Sequence, residues 1–156
     1  MGAIEKRLAD LGLTLPTPAA PIANYLPYVQ TGSLLFVSGQ LAFGADGTLD
    51  AGHKGKLGQG VTPATGQAAA RNCFINVLAQ AKVALGDLDR IARCVRLGGF
   101  INAMPEFVDL PAVMNGASDL AVELLGDKGR HARTTVGVAS LPAGCCVEVE
   151  ALFELA

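Results

Sequence analysis

Tryptophan is absent from this 156-residue chain, aromatic residues make up 5% of it, and it has only two histidines. So few aromatics leave little for single-stranded nucleic acid to stack on, and a net charge of -2 supplies no basic footprint for a phosphate backbone. Charged residues are also scarce at 17%, low for a small monomer that must wet its own surface, so part of that surface is expected to be buried in an oligomer. No apolar run approaches the roughly 20 residues that a membrane span requires. The first residues, MGAIEKRLADLGL, are amphipathic rather than a signal core, so the expectation is a soluble, cytoplasmic protein.

Several chemistries lack their motifs. There is no Gly-x-Ser-x-Gly elbow, and Ser38 has no histidine near it in sequence, which argues against a serine or cysteine nucleophile. The glycine-rich stretch GHKGKLGQG has neither the order of a P-loop nor the strand-turn-helix setting of a dinucleotide fingerprint, and reads as a flexible loop. Cys73, Cys94, Cys145 and Cys146 show no CxxC or Cys/His spacing. If Cys145 and Cys146 lie on a strand they point to opposite faces and cannot share a metal, so all four read as reduced core residues. No metal or other cofactor is expected.

What is present is a core former. Hydrophobic residues make up 51% of a length that suits one domain, and with so few aromatics the core is Ala, Val and Leu, which favours close packing of helices on a sheet. Ile4, Leu8 and Leu11 share one face of a short helix over residues 4 to 11, and the proline-rich TLPTPAAP connector follows. This divides the chain into an N-terminal helix and connector, 1–18, and a main domain, 19–156. SLLFVSGQLAF, residues 33 to 43, reads as a buried strand. A long glycine-rich loop with a turn at Asp46-Gly47 leads to the clearest helix. It has Thr62 as N-cap, Pro63 at its first position, apolar residues from Ala70 to Leu85 at helical spacing, and a stop at Gly86. A strand over 91 to 101 follows. A second helix runs from about Glu106 to Leu124, with Pro111 moving its true start toward Asp109, and Gly126 ends it. Strands at about 133 to 140 and 145 to 155 flank a turn containing Pro142 and Gly144. The fold class is α+β, a mixed sheet with two helices on one face.

The last strand carries Val147, Val149, Ala151 and Phe153 on one face and Glu148, Glu150, Leu152 and Glu154 on the other. The second set is neither a clean core nor a clean solvent face. Read as a hairpin through the Pro142 turn, the last two strands place Arg133 and Glu148 on neighbours, sharing one pocket on the open face. One reading is a salt bridge tying the hairpin. The other is that Arg133 binds a substrate carboxylate bidentately while Glu148 handles a proton or positions water. His131, beside Arg133, reads as a surface or capping residue.

The stretches YVQTGSLLFVSGQLAF, RNCFINVLAQAKVALGDLDRI and HARTTVGVASLPAGCCVEVEALFEL, in this order, resemble the YjgF/RidA family of reactive-intermediate deaminases, also labelled endoribonuclease L-PSP. The specific part is Ala132-Arg133, a short apolar strand, Leu141-Pro142 and Val147-Glu148-Val149-Glu150. The resemblance implies a chorismate-mutase-like fold, a homotrimer with sites in clefts between subunits, and no cofactor. It also implies hydrolysis of enamine or imine intermediates such as 2-aminoacrylate to 2-keto acids and ammonia. The site residues it implies are Arg133 as carboxylate clamp and Glu148 at the water, with Tyr25 (or Tyr28), Gly39 and Thr135 lining the substrate. Thr135 stands where deaminases often carry cysteine, and Pro105 where many carry asparagine. A sensor of small carboxylate metabolites using the same cleft, or an endoribonuclease, are the alternative readings.

Overall fold

The computed structural model describes residues 1–18, 20 and 23–156. The junction placed at residue 19 falls outside that description. The elements are α1 (Ala3–Asp10), β1 (Tyr28–Thr31), β2 (Leu34–Gln40), β3 (Lys56–Leu57), β4 (Gly60–Val61), α2 (Pro63–Leu85), β5 (Ile91–Asn102), α3 (Leu110–Leu125), β6 (Ala132–Val138) and β7 (Val147–Leu155). The main sheet has five strands in the order β1-β2-β7-β5-β6, and β3 and β4 form a small parallel pair. Within the main sheet β5 and β6 are parallel and the other neighbours antiparallel. This is the α+β architecture expected of a YjgF-like domain, with α2 and α3 packed on one face.

The helix ends obey their local chemistry. The Thr62 side chain accepts a hydrogen bond from the Thr65 amide, Pro63 opens α2, and Gly86 closes it at φ 73°. Asp109 is the N-cap of α3 and Pro111 sits in its first turn, where a missing amide hydrogen costs nothing, so α3 starts later than residue 106. The two helices cross closely: a Cβ on Gly116 would lie 2.0 Å from the Gln67 carbonyl oxygen. The core between helices and sheet is aliphatic, with Phe74 and Phe153 as its large members, and all four cysteines are buried free thiols. Cys145 and Cys146 precede β7 rather than lying in it, and both are fully buried.

The short N-terminal helix joins the same core. Ile4 and Leu8 are buried, whereas Leu11 stays exposed. The Asp89 carboxylate accepts from the amides of Ala3 and Ile4 at 2.6 and 2.9 Å, standing in for the N-cap side chain that Gly2 lacks. Arg7 Nη1 donates to the Leu124 carbonyl at 2.7 Å, which fastens α1 to the end of α3.

The hairpin expectation is wrong. β5 lies between β6 and β7, so the last two strands never touch. β5, α3 and β6 form a parallel crossover, and the segment after β6 then passes over the end of β5 to reach its far side. Asn102, buried at that end, holds the passage together. Its Nδ2 donates to the Gly55 and Cys145 carbonyls, and its Oδ1 accepts from Lys56 Nζ at 2.7 Å. The second half of the glycine-rich loop is therefore pinned rather than free, with Leu57 fully buried. A hairpin and a crossover share one alternating pattern; only the partner differs, and alternation carries no information about partners.

Candidate functional site

Register decides where the expected site residues lie. Arg133 is level with Leu97 of β5 and Ala151 of β7, both core-facing, whereas Glu148 is level with Phe100 and Val136 on the opposite face. Two strand spacings and three residues along the sheet separate their Cα atoms by roughly 14 Å. Within the chain Arg133 and Glu148 therefore occupy opposite faces of the sheet. The shared pocket on the open face is not there.

Glu148 sits in a pocket of its own, a cavity of about 220 Å³ lined by Tyr25, Gly39, Gln40, Gln80 and Pro142 among others. A bulge in β2 builds it. Between Val37 and Gln40 the register against β7 slips, turning Gly39 toward Glu148. The fit is close: a Cβ on Gly39 would lie 2.1 Å from Glu148 Oε1. Gly39 thus serves as the seat of the carboxylate. Ser38 fixes the neighbouring chain, its Oγ donating to the Leu26 carbonyl at 2.8 Å and its amide to Pro27, which holds Tyr25 at the rim. Of the two tyrosine candidates, Tyr25 lines this pocket, while Tyr28 packs against the core. Burial, then negative charge on the neighbouring Cys145 sulfur and on Glu150, raise the pKa of Glu148 above the usual carboxylate value. Gln40 and the buried Gln80 are the polar members that no sequence motif announced; Gln40 Nε2 donates to the Ser38 carbonyl at 2.9 Å.

Arg133 lies on β6, the edge strand, beneath α3. Its Nη1 donates to Asn115 Oδ1 at 2.8 Å and to Ser118 Oγ at 3.1 Å. Both acceptors are neutral, and among the described residues Arg133 forms no ion pair. The salt-bridge reading is thereby overturned. Ser118 Oγ also lies 2.9 Å from His131 Nε2, and His131 Nδ1 lies 2.6 Å from the Gly129 carbonyl oxygen. His131 is thus partnered on both ring nitrogens rather than a solvent-facing group. Asn115 and Ser118 are spaced i, i+3 on α3, a polar pair on one helix face, and that spacing was their only signal in the sequence. Thr135 follows Arg133 on the same side of β6, but its Oγ1 is closed from solvent and has no hydrogen-bond partner. Farther along the same face, a cavity of about 520 Å³ is lined by Met104, Pro105, Phe107, Leu110 and Gly137, with Lys56 at one end. Pro105 contributes to the apolar part of this wall.

The open face between the two places is unpaired. Val29, Phe36 and Val136 are exposed there, around an Arg96–Glu150 ion pair of 3.4 Å. Among the described residues no cluster of three or more His, Cys, Asp or Glu could hold a metal, and no helix is long and apolar enough to cross a membrane.

Residues 5–155 match the sequence model of a family described as "YjgF/chorismate mutase-like, putative endoribonuclease". The chain is 48% identical over 155 residues to Protein TCP17 of Trypanosoma cruzi, covering 99% of this chain and 95% of that one. It superimposes on the crystal structure of Atu1372 from Agrobacterium tumefaciens, whose function is unknown. The TM-score is 0.91 at 46% identity, over 99% of this chain and 93% of that one. It also matches E. coli TdcF, solved with bound serine, with a TM-score of 0.63 at 26% identity over 92% and 96% of the two chains.

Proposed function

The chain belongs to the YjgF/chorismate mutase-like family, and from that premise we propose that it hydrolyses small enamine or imine intermediates of the 2-aminoacrylate type to 2-keto acids and ammonia, at clefts between the subunits of a homotrimer. One observation carries the reading. Arg133 is a guanidinium held in place by two neutral acceptors, both on Nη1, so its Nε and Nη2 edge and its whole charge remain for a ligand. That edge matches the two oxygens of a carboxylate. TdcF, solved with bound serine, offers a relative that takes up a small amino acid.

The mechanism follows from the two half-sites. Arg133 anchors the carboxylate. The neighbouring carbon, already electrophilic as an imine, needs only a positioned water and stabilisation of the tetrahedral state. Glu148 supplies the water position. Because the two residues face opposite ways in one subunit, they meet only if the Arg133 face of one copy closes on the Glu148 pocket of another. The exposed apolar residues of the open face are what a trimer would cover.

The test is release of pyruvate from 2-aminoacrylate, generated by a dehydratase and competed by semicarbazide. Wild type is expected to accelerate it, while Arg133→Ala and Glu148→Gln are each expected to be inactive. Co-assembling the two inactive variants in equal amounts then restores about a quarter of the sites if each site draws on two subunits. Activity in Arg133→Ala would sink the assignment, and no recovery on mixing would sink the shared cleft. The bound serine in TdcF favours one alternative, a non-catalytic sensor, which would show saturable 2-keto acid binding with no turnover of any imine. Cleavage of RNA by wild type but not by Arg133→Ala would instead support the endoribonuclease description.

A further inference from the structure

The cavity of about 520 Å³ beyond Thr135 has the size of a small-molecule site. Met104, Pro105, Phe107, Val108 and Leu110 give it apolar walls, and Gly137 adds no side chain to it. One charged group lines it, the half-buried Lys56. Glu106 and Asp109 flank the apolar wall in sequence, yet neither lines the cavity. An ammonium has three hydrogens to donate. Lys56 Nζ gives one to Asn102 Oδ1 at 2.7 Å and one to the Ala139 carbonyl, both neutral acceptors. Among the described residues Lys56 forms no ion pair, so one hydrogen and the whole charge remain.

The cation and the wall are both held in place. Asn102 is buried, and its Nδ2 donates to the Gly55 and Cys145 carbonyls, which leaves Oδ1 turned to Lys56. The Met104 amide donates to the Leu57 carbonyl at 2.9 Å, and the Phe107 amide to the Met104 carbonyl at 3.0 Å. A fixed cation at the end of a preformed apolar wall loses little freedom when a ligand arrives.

We propose that this cavity binds a small carboxylate with an apolar body, its head on Lys56 Nζ and its chain along Met104, Phe107 and Leu110. The one remaining N–H suits a carboxylate oxygen, and no second cation lines the cavity to balance a phosphate dianion. The site is separate from Arg133. Ala139 stands six residues beyond Arg133, roughly 20 Å along an extended strand, so one carboxylate cannot touch both cations. The proposal therefore rests neither on Arg133 as an anchor nor on imine chemistry.

Octanoate is the probe, with 1-octanol as a body without the head and acetate as a head without the body. Calorimetry gives the Kd, and the Met104 methyl and Gly137 amide resonances report where the ligand sits. Octanoate is expected to shift both resonances, and each methylene added from butyrate onward should tighten binding about two- to fourfold until the cavity is full. Lys56→Met keeps the stem and removes the charge, and should weaken octanoate binding by about 10- to 100-fold. Gly137→Leu fills the cavity from the strand side and should abolish binding. Its backbone tolerates the change, since Gly137 has no positive φ and a Cβ there meets nothing nearer than Leu110 at 3.5 Å. Arg133→Ala should bind octanoate within about twofold of wild type, as distant sites act independently. Equal affinity for 1-octanol or acetate would overturn the proposal. So would an unchanged Kd in Lys56→Met, which would mean that the lysine only ties the passage over β5. Unchanged binding in Gly137→Leu, or a loss in Arg133→Ala equal to that in Lys56→Met, would place the ligand elsewhere and overturn it too. No octanoate binding at millimolar concentration would overturn it outright. None of these readouts uses imine turnover, so a failure of the deaminase reading leaves this site standing.

Discussion

Gly39→Ala is the sharpest perturbation this fold offers, because it adds one methyl group against one functional atom. The new carbon would sit 2.1 Å from Glu148 Oε1 and 2.9 Å from its carboxyl carbon. An ordinary contact is about 3.5 Å, so the carboxylate must retreat by more than about 1 Å. The backbone need not follow, since Gly39 is not among the residues with positive φ and alanine adopts its conformation. The effect on stability is therefore small. Swinging Glu148 to a strained rotamer costs roughly 0.5–1.5 kcal/mol, and replacing a strand glycine recovers roughly 0.5–1 kcal/mol. The effect on rate is not small, because a misplacement of about 1 Å in a positioning group costs on the order of 100-fold. Imine turnover and a thermal melt, measured side by side, are expected to show lost kcat with an almost unchanged melting temperature. Repeating Gly39→Ala in a Glu148→Ala background isolates the cause, for with the carboxylate gone the methyl has nothing to displace and should carry no stability cost. A Gly39→Ala protein with full kcat would refute the claim that this seat positions the carboxylate.

Three further outcomes are expected. Arg133→Lys keeps the charge but loses the planar fork, so KM should rise by about 10- to 100-fold, the worth of one charge-assisted hydrogen bond, with little change in fold; an unchanged KM would show that the fork is not used. Glu148→Gln should stabilise the fold at neutral pH. Burial, the Cys145 sulfur and Glu150 raise this carboxyl above its unfolded value, so the folded chain holds the proton more tightly and charged Glu148 is a liability that fades as pH falls. Its melting-temperature margin over wild type should narrow toward about pH 4, and a margin independent of pH would refute this. Thr135→Val replaces a buried hydroxyl that has no partner, so it should raise stability by up to about 1 kcal/mol in chemical denaturation; a loss would mean the hydroxyl is satisfied in solution.

Local chemistry was legible in the sequence wherever one residue type has one physical use. Thr62-Pro63 and Gly86 bound α2, Pro111 shifts the start of α3, and alternation assigned each residue of β7 to its face. β1 was missed because its four residues carry no alternation beyond what the following strand already shows. Strand partnership was not legible: the pairing of Arg133 with Glu148 rested on a hairpin that the β5 crossover replaces. Gly39 could be named from its neighbours, yet its role as a seat emerges only from the bulge in β2. Ser118 was invisible because a serine inside a helix is ordinary until a strand from elsewhere brings an arginine and a histidine to it.

The crossing of α2 and α3 at Gly116 has an evolutionary meaning. Gly116 touches no part of either half-site, yet it is flanked by Asn115 and followed two residues on by Ser118, both of which grip Arg133. Any side chain at 116 would strike the Gln67 backbone and lever the helix outward, carrying those two residues with it. Selection on the arginine's grip therefore reaches a position that no ligand sees. The groove around Pro105 can change its lining without disturbing this crossing, whereas one side chain at 116 would move both acceptors of Arg133 together.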